Sequence, residues 1–315
     1  MIRRPAALAT AALSAFLLLA ATPASASPGG DTAPDCQTSL IGTKLSLPAF
    51  SPATQKRLDQ DIAIARAALE IAPDREESHF WLGRRLGYAG RVCEAVAVFT
   101  EGLKAFPDSY KLRRYRARHL ARARAFDAAL ADYRDALALM EGKPDSFEPD
   151  GLPNGQALTI GTYRSNIIYY HAQTSFATGD YRTMIDGMAR ALALAPGFAH
   201  DDMRVPTAYW TYLAHRKLGE HDKARAVIDA IEPELKLIEN FTYYQAVQIM
   251  QGRLKPADVG PTRDSTIKFA IAMERRFAGD ETGARALLTE IVTENAQGHW
   301  PSEVELTAPD RRASN

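Results

Sequence analysis

The residues best equipped for chemistry lie between Lys111 and Arg124. Lys111, Arg113, Arg114, Arg116, Arg118, Arg122 and Arg124 occur there with no acidic residue among them. On a helix, Arg114, Arg118 and Arg122 fall four apart and share one stripe. Like charges along a stripe repel, which is tolerable where an anion binds, because guanidinium groups grip carboxylates through paired hydrogen bonds. The plainer reading is a solvated helix whose acids lie on a neighbour, with Glu76, Glu77 and Glu94 available. Motifs for catalysis are missing: the chain has no Gly-x-Ser-x-Gly, no phosphate-binding loop, no His-Glu-x-x-His and no Cys-x-x-Cys. His200-Asp201-Asp202 places its ligand atoms on consecutive residues that cannot all converge on one ion, so a helix N-cap explains it better. His215 with His221-Asp222 reads as a solvated helix end and turn. We therefore expect no metal, no cofactor and no enzyme.

The elements that position the arginines repeat. Ala-Leu-Glu-Ile-Ala-Pro ends at Pro73 and Gly-Leu-Lys-Ala-Phe-Pro ends at Pro107, 34 residues later. Between them come Leu82-Gly83, Leu86, Gly90, Ala95, Phe99 and Gly102, echoed by Ala117, Leu120, Ala129, Tyr133 and Ala136. Small residues let two helices approach, large apolar ones fill the groove, and proline ends the second helix for want of an N–H. Later units carry Gly179-Asp180-Tyr181 with Met184 and Met188, Leu218-Gly219 with Ala224 and Ile228, and Gly279-Asp280 with Ala284 and Leu288. This pattern resembles the tetratricopeptide repeat family, whose unit is a helix, a turn and a second helix every ~34 residues. The resemblance implies an all-α, right-handed solenoid, with repeats over 54–141 and 165–300 and a long loop over 142–164.

In that family the first helix of each unit lines the concave wall. Taking Leu82-Gly83 as the packing stripe, the resemblance puts Phe80, Trp81, Arg84 and Tyr88 near the groove. The same offsets give Arg114, Tyr115, Arg118 and Arg122, then Tyr169, Tyr170 and Gln173, then Tyr209 and Trp210, then Tyr243, Tyr244 and Phe269. Periodic aromatics also serve as core fillers, so groove and core remain alternatives for this stripe. The family's clamp for C-terminal carboxylates uses Lys and Asn; Arg stands where Asn is expected, so that activity is not carried over. The expected function is a non-catalytic scaffold holding a peptide or protein segment. A structural protein using its convex or terminal surfaces is the alternative, and an enzyme on a helical scaffold the third.

The ends complete the reading. Arg3 and Arg4, an uncharged run to Ala21 and Ala24-Ser25-Ala26 predict a cleavable signal peptide over 1–26 and a periplasmic or secreted protein without a membrane span. Losing the two arginines turns 38 basic and 38 acidic residues into 36 and 38, a charge of −2 that points to no nucleic acid. Residues 27–53 read as a flexible leader and 301–315 as a disordered tail. Cys36 and Cys93 have one possible intramolecular pairing in an oxidising compartment, with a small buried Cys93 as the alternative. The Gly142–Gly161 stretch, rich in proline, glycine and acids, reads as a solvated insertion with almost nothing to bury, with a functional loop as the alternative.

Overall fold

The computed structural model describes residues 35–149, 154–260, 262 and 264–308, so the predicted signal peptide lies outside the described residues. The chain forms α1 (Pro52–Ile71), α2 (Glu76–Tyr88), α3 (Val92–Ala105), α4 (Tyr110–Arg122), α5 (Phe126–Leu139), α6 (Tyr163–Thr178) and α7 (Tyr181–Ala193). A 3₁₀ turn, Gly197–Ala199, leads into α8 (His200–Lys217), followed by α9 (His221–Asp229), α10 (Phe241–Met250) and the short α11 (Pro256–Val259). The described chain ends with α12 (Ser265–Phe277), α13 (Glu281–Glu294) and α14 (Trp300–Thr307). The fold is an all-α solenoid of helix pairs. No helix among the described residues is long and apolar enough to cross a membrane.

The pairs form where small residues meet large ones. A Cβ on Gly83 would stand 2.4 Å from the Phe99 ring, and Ala95 is fully buried beside it, so α2 and α3 touch almost backbone to backbone. Starts are capped by polar side chains: Ser109 Oγ accepts from Leu112 N–H, and Thr162 and Ser165 cap each other's backbone at the head of α6. One apolar core runs from α1 to α6 and a second from α6 to α14; Leu137 and Tyr170 pack against both.

Three expectations need correcting. The tail is not disordered at its start: α14 is a helix whose Ser302, Glu303 and Glu305 are buried. From Asp35 the leader is not free either. Cys36 is disulfide-bonded to Cys93, and Ser46 N–H donates to the Ala296 carbonyl at 2.8 Å. The long loop also has something to bury, namely Glu148.

The first two corrections share a cause. The solenoid closes on itself, and residues 36–48 and 295–307 form the seam. Arg124 pairs with Glu303, Leu40 N–H donates to the same carboxylate, and Arg122 donates to Gln297 Oε1. Trp300 reaches the rings of Phe126 and Phe176. Arg124 shows what the seam requires. At the turn after α2, α6, α8, α10 and α12 the left-handed residue is glycine: Gly90, Gly179, Gly219, Gly252 and Gly279. After α4 it is Arg124, at φ 61°, a conformation that costs an L-residue roughly 1 kcal/mol or more. The guanidinium gained there is what holds Glu303.

Candidate functional site

Helices α2, α4, α6, α8, α10 and α12 surround a lumen made of two hollows, about 440 and 370 Å³, that share Tyr88, Gln173 and Tyr243 as lining. The larger hollow takes Arg84, Tyr88, Arg114, Tyr115, Arg118, Tyr169 and Tyr170 from the predicted stripe. The smaller takes Tyr88, Arg122, Tyr209 and Trp210. Trp81 lines neither; it stands half-buried beside Phe80, with Arg84 and Arg85 over its ring. The groove and core readings are therefore not exclusive. Tyr115, Tyr169, Tyr209 and Trp210 are buried and still contribute to the lumen wall.

Arginines and tyrosines alternate along the wall of the larger hollow. The Arg84 guanidinium lies 4.6 Å from the Tyr115 ring centre, and Arg114 lies 4.5 Å from the same ring. Arg114 also stands 4.6 Å from Tyr170, and Arg118 4.9 Å from Tyr170. A weakly hydrated planar cation is attracted to each ring face, which lets three arginines crowd where ammonium groups would need more water.

One carboxylate enters this ladder. Glu148, 6 % exposed, accepts from Arg114 Nε at 3.0 Å and Asn166 Nδ2 at 2.9 Å, and Tyr115 Oη donates to its other oxygen. Burial pushes the Glu148 carboxyl upward, but the Arg114 guanidinium and these donors outweigh it and hold the group below its ordinary range. Burial, with the Glu148 charge beside it, keeps the Tyr115 phenol protonated.

The predicted cationic ridge divides. Arg114 is 1 % exposed and ion-paired, though not to Glu76, Glu77 or Glu94. Glu94 pairs with Arg66 and Arg91, and Glu76 accepts from Ser109. Arg122 belongs to the seam, donating to the Gly87 carbonyl at 3.0 Å, and burial with Arg118 and Arg124 nearby brings it down to about 10. Arg118 faces the larger hollow with no carboxylate partner among the described residues. On the other side of α4, Arg113 and Arg116 meet Asp132 and Asp135 of α5, so their acids do lie on a neighbouring helix, but not at Glu76, Glu77 or Glu94, and Asp132 is buried rather than solvated.

Asp202 is not the N-cap of α8, which is Ala199. Its carboxylate accepts the N–H groups of Ile238, Glu239 and Asn240, knotting α8 to the loop before α10. Asn240 Nδ2 donates to the Asp202 carbonyl, which Pro206 cannot serve for lack of an N–H.

The class defined by these elements is an all-α helical-repeat solenoid with an arginine- and tyrosine-lined lumen. It is similar in fold to solved tetratricopeptide repeat proteins. One is YrrB, described as a TPR protein with an unusual peptide-binding site (10 % identity over 79 % of this chain and 94 % of that one, TM-score 0.42). Another is the set of nearly identical TPR-like repeats ascribed to a Podosopora anserina kinesin light chain (14 % identity over 70 % and 94 %, TM-score 0.42). No family profile and no curated relative matches the chain.

Proposed function

We propose that the chain is an exported, non-catalytic binding scaffold that receives a peptide or protein segment in its lumen. The observation that carries this reading is the convergence of most of the aromatic and arginine stripe on two hollows that share Tyr88, Gln173 and Tyr243. Tyrosine offers apolar area and a hydroxyl at small entropic cost, and arginine offers directed donors, a combination suited to recognition rather than to bond breaking.

The test is a photo-crosslinking residue at Gln173, which borders both hollows, in protein expressed in its native exporting cell. A discrete polypeptide adduct at Gln173 and none at the exposed Ile64 of α1 is the expected result. Adducts at Ile64 but not at Gln173 would favour a structural protein working through its outer faces and overturn the lumen reading.

A further inference from the structure

Among the described residues, the lumen wall carries more positive than negative charge. Arg84 is 4 % exposed and donates only Nη2, to Tyr88 at 2.7 Å; its Nε and Nη1 have no hydrogen-bond partner, nor has Nη1 of Arg114. With Arg118, three guanidinium groups face the one deep carboxylate of Glu148. Among the described residues the one other acid lining this hollow is Glu239, exposed at the rim and held by Asn154 Nδ2 at 3.0 Å. Buried donors without partners lose their hydration for nothing, so an acid arriving between Arg84 and Arg118 meets donors already stripped of water.

Four exposed large apolar side chains lie close in the chain to residues that line or flank this hollow. Phe147, Leu158, Phe198 and Phe241 are 50, 39, 53 and 56 % exposed. Phe147, Leu158 and Phe241 are sequence neighbours of the lining residues Glu148, Thr159 and Asn240, and Phe198 stands 6.4 Å from the Phe147 ring. Isolated exposed apolar side chains are ordinary, whereas a group of them around a cavity marks a contact surface.

We propose that this hollow docks a protein segment in which an acidic side chain is flanked by large apolar ones. The acid reaches Arg84 and Arg118, and the apolar neighbours cover the four exposed residues. This rests on the lumen-binding reading above and names the partner's chemistry. Unsatisfied cations select the acid, and the rim selects a protein segment over a free carboxylate or phosphate, neither of which covers apolar surface.

The experiment uses a fluorescein-labelled, end-capped pentapeptide, Phe-Leu-Asp-Leu-Phe, its Asn analogue, and an analogue with serine for each apolar residue. The Asp peptide should bind the unaltered protein at least about tenfold tighter than the Asn peptide, the scale of a charge-assisted hydrogen bond. Arg118→Gln should abolish that preference, and Phe198→Ser with Phe241→Ser should weaken both apolar peptides alike. Equal binding of the Asp and Asn peptides to the unaltered protein overturns the proposal, whatever the folding of the variants. So does acetate or phosphate displacing the Asp peptide while the serine analogue binds as well. Self-association abolished by the same rim changes would make a second copy the occupant and overturn it too. A retained Gln173 adduct with no Asp preference sinks this inference alone, whereas loss of the adduct sinks the reading beneath it.

Discussion

Removing the Glu148 carboxylate should destabilise the fold and leave the lumen more cationic. In Glu148→Ala the Arg114 guanidinium, 1 % exposed and already with an unpartnered Nη1, loses its ion pair, while Asn166 and Tyr115 each lose an acceptor. Breaking a buried pair from one side costs about 3–5 kcal/mol, because the surviving charge stays desolvated. At about 2–4 °C per kcal/mol for a domain this large, the melting temperature should fall by roughly 6–20 °C. Glu148→Gln keeps the shape and an acceptor oxygen, and should lose only about 2 kcal/mol. Arg114→Met with Glu148→Leu should recover most of the loss, since an apolar pair of similar volume has no charge to desolvate. The pH dependence has a definite sign. Glu148 titrates below its ordinary value of 4.5 in the fold, so its contribution is present above pH 4.5 and is lost as pH falls through the lowered folded value. Differential scanning calorimetry of the variants at pH 7 and pH 3 reads both quantities. If Glu148→Ala melts within about 0.5 kcal/mol of the parent at pH 7, or by the same margin at pH 3, the buried-pair reasoning is wrong.

Three further outcomes are expected. Cys36→Ser with Cys93→Ser should cost about 4 kcal/mol in denaturant unfolding, since the disulfide spans a sequence separation of 57; two free thiols in unreduced protein would refute the bridge. Arg124→Gly relieves a left-handed backbone worth roughly 1 kcal/mol but strands the fully buried Glu303, so unfolding should show a net loss of about 2–4 kcal/mol. A gain would mean that the seam contributes little. Burial holds His119 well below 6.5 and His299 at about 3, so each favours the fold above pH 6.5 and loses that contribution as pH falls below it. His299 should withdraw about 2 kcal/mol by pH 5 and His119 should add to that loss in the same direction, with net proton uptake on unfolding; a melting temperature flat from pH 7 to 5 would contradict this.

The inner-wall stripe was legible because repeat packing transmits register. Once Leu82-Gly83 is assigned to the helix contact, the 34-residue step carries Arg84 to Arg118, and those two are the arginines that the hollow leaves uncompensated. The division of the ridge was not legible. Arg114, Arg118 and Arg122 share type, helix and stripe, and differ only in what other parts of the chain bring to them. Glu148 is 34 residues from Arg114, in a loop whose composition signals solvent, and Gln297 is 175 residues from Arg122. One signal was available. Arg124 replaces the glycine found at the matching turns, and a side chain at a left-handed position implies a contact that offsets its cost.

By itself, then, the sequence determined the helix pairs, their close approach at Gly83 and Ala95, and the side of each first helix that faces inward. These follow from spacing and size over a few turns, and local periodicity records them directly. Only the tertiary structure decided that the solenoid closes, that the apparent tail and leader form its seam, and that an acid from the long loop quenches one arginine and not its neighbours. Those outcomes depend on pairs of residues brought together by the summed rotation of many repeats. A small angle per unit, invisible in any single repeat, sets whether the ends meet.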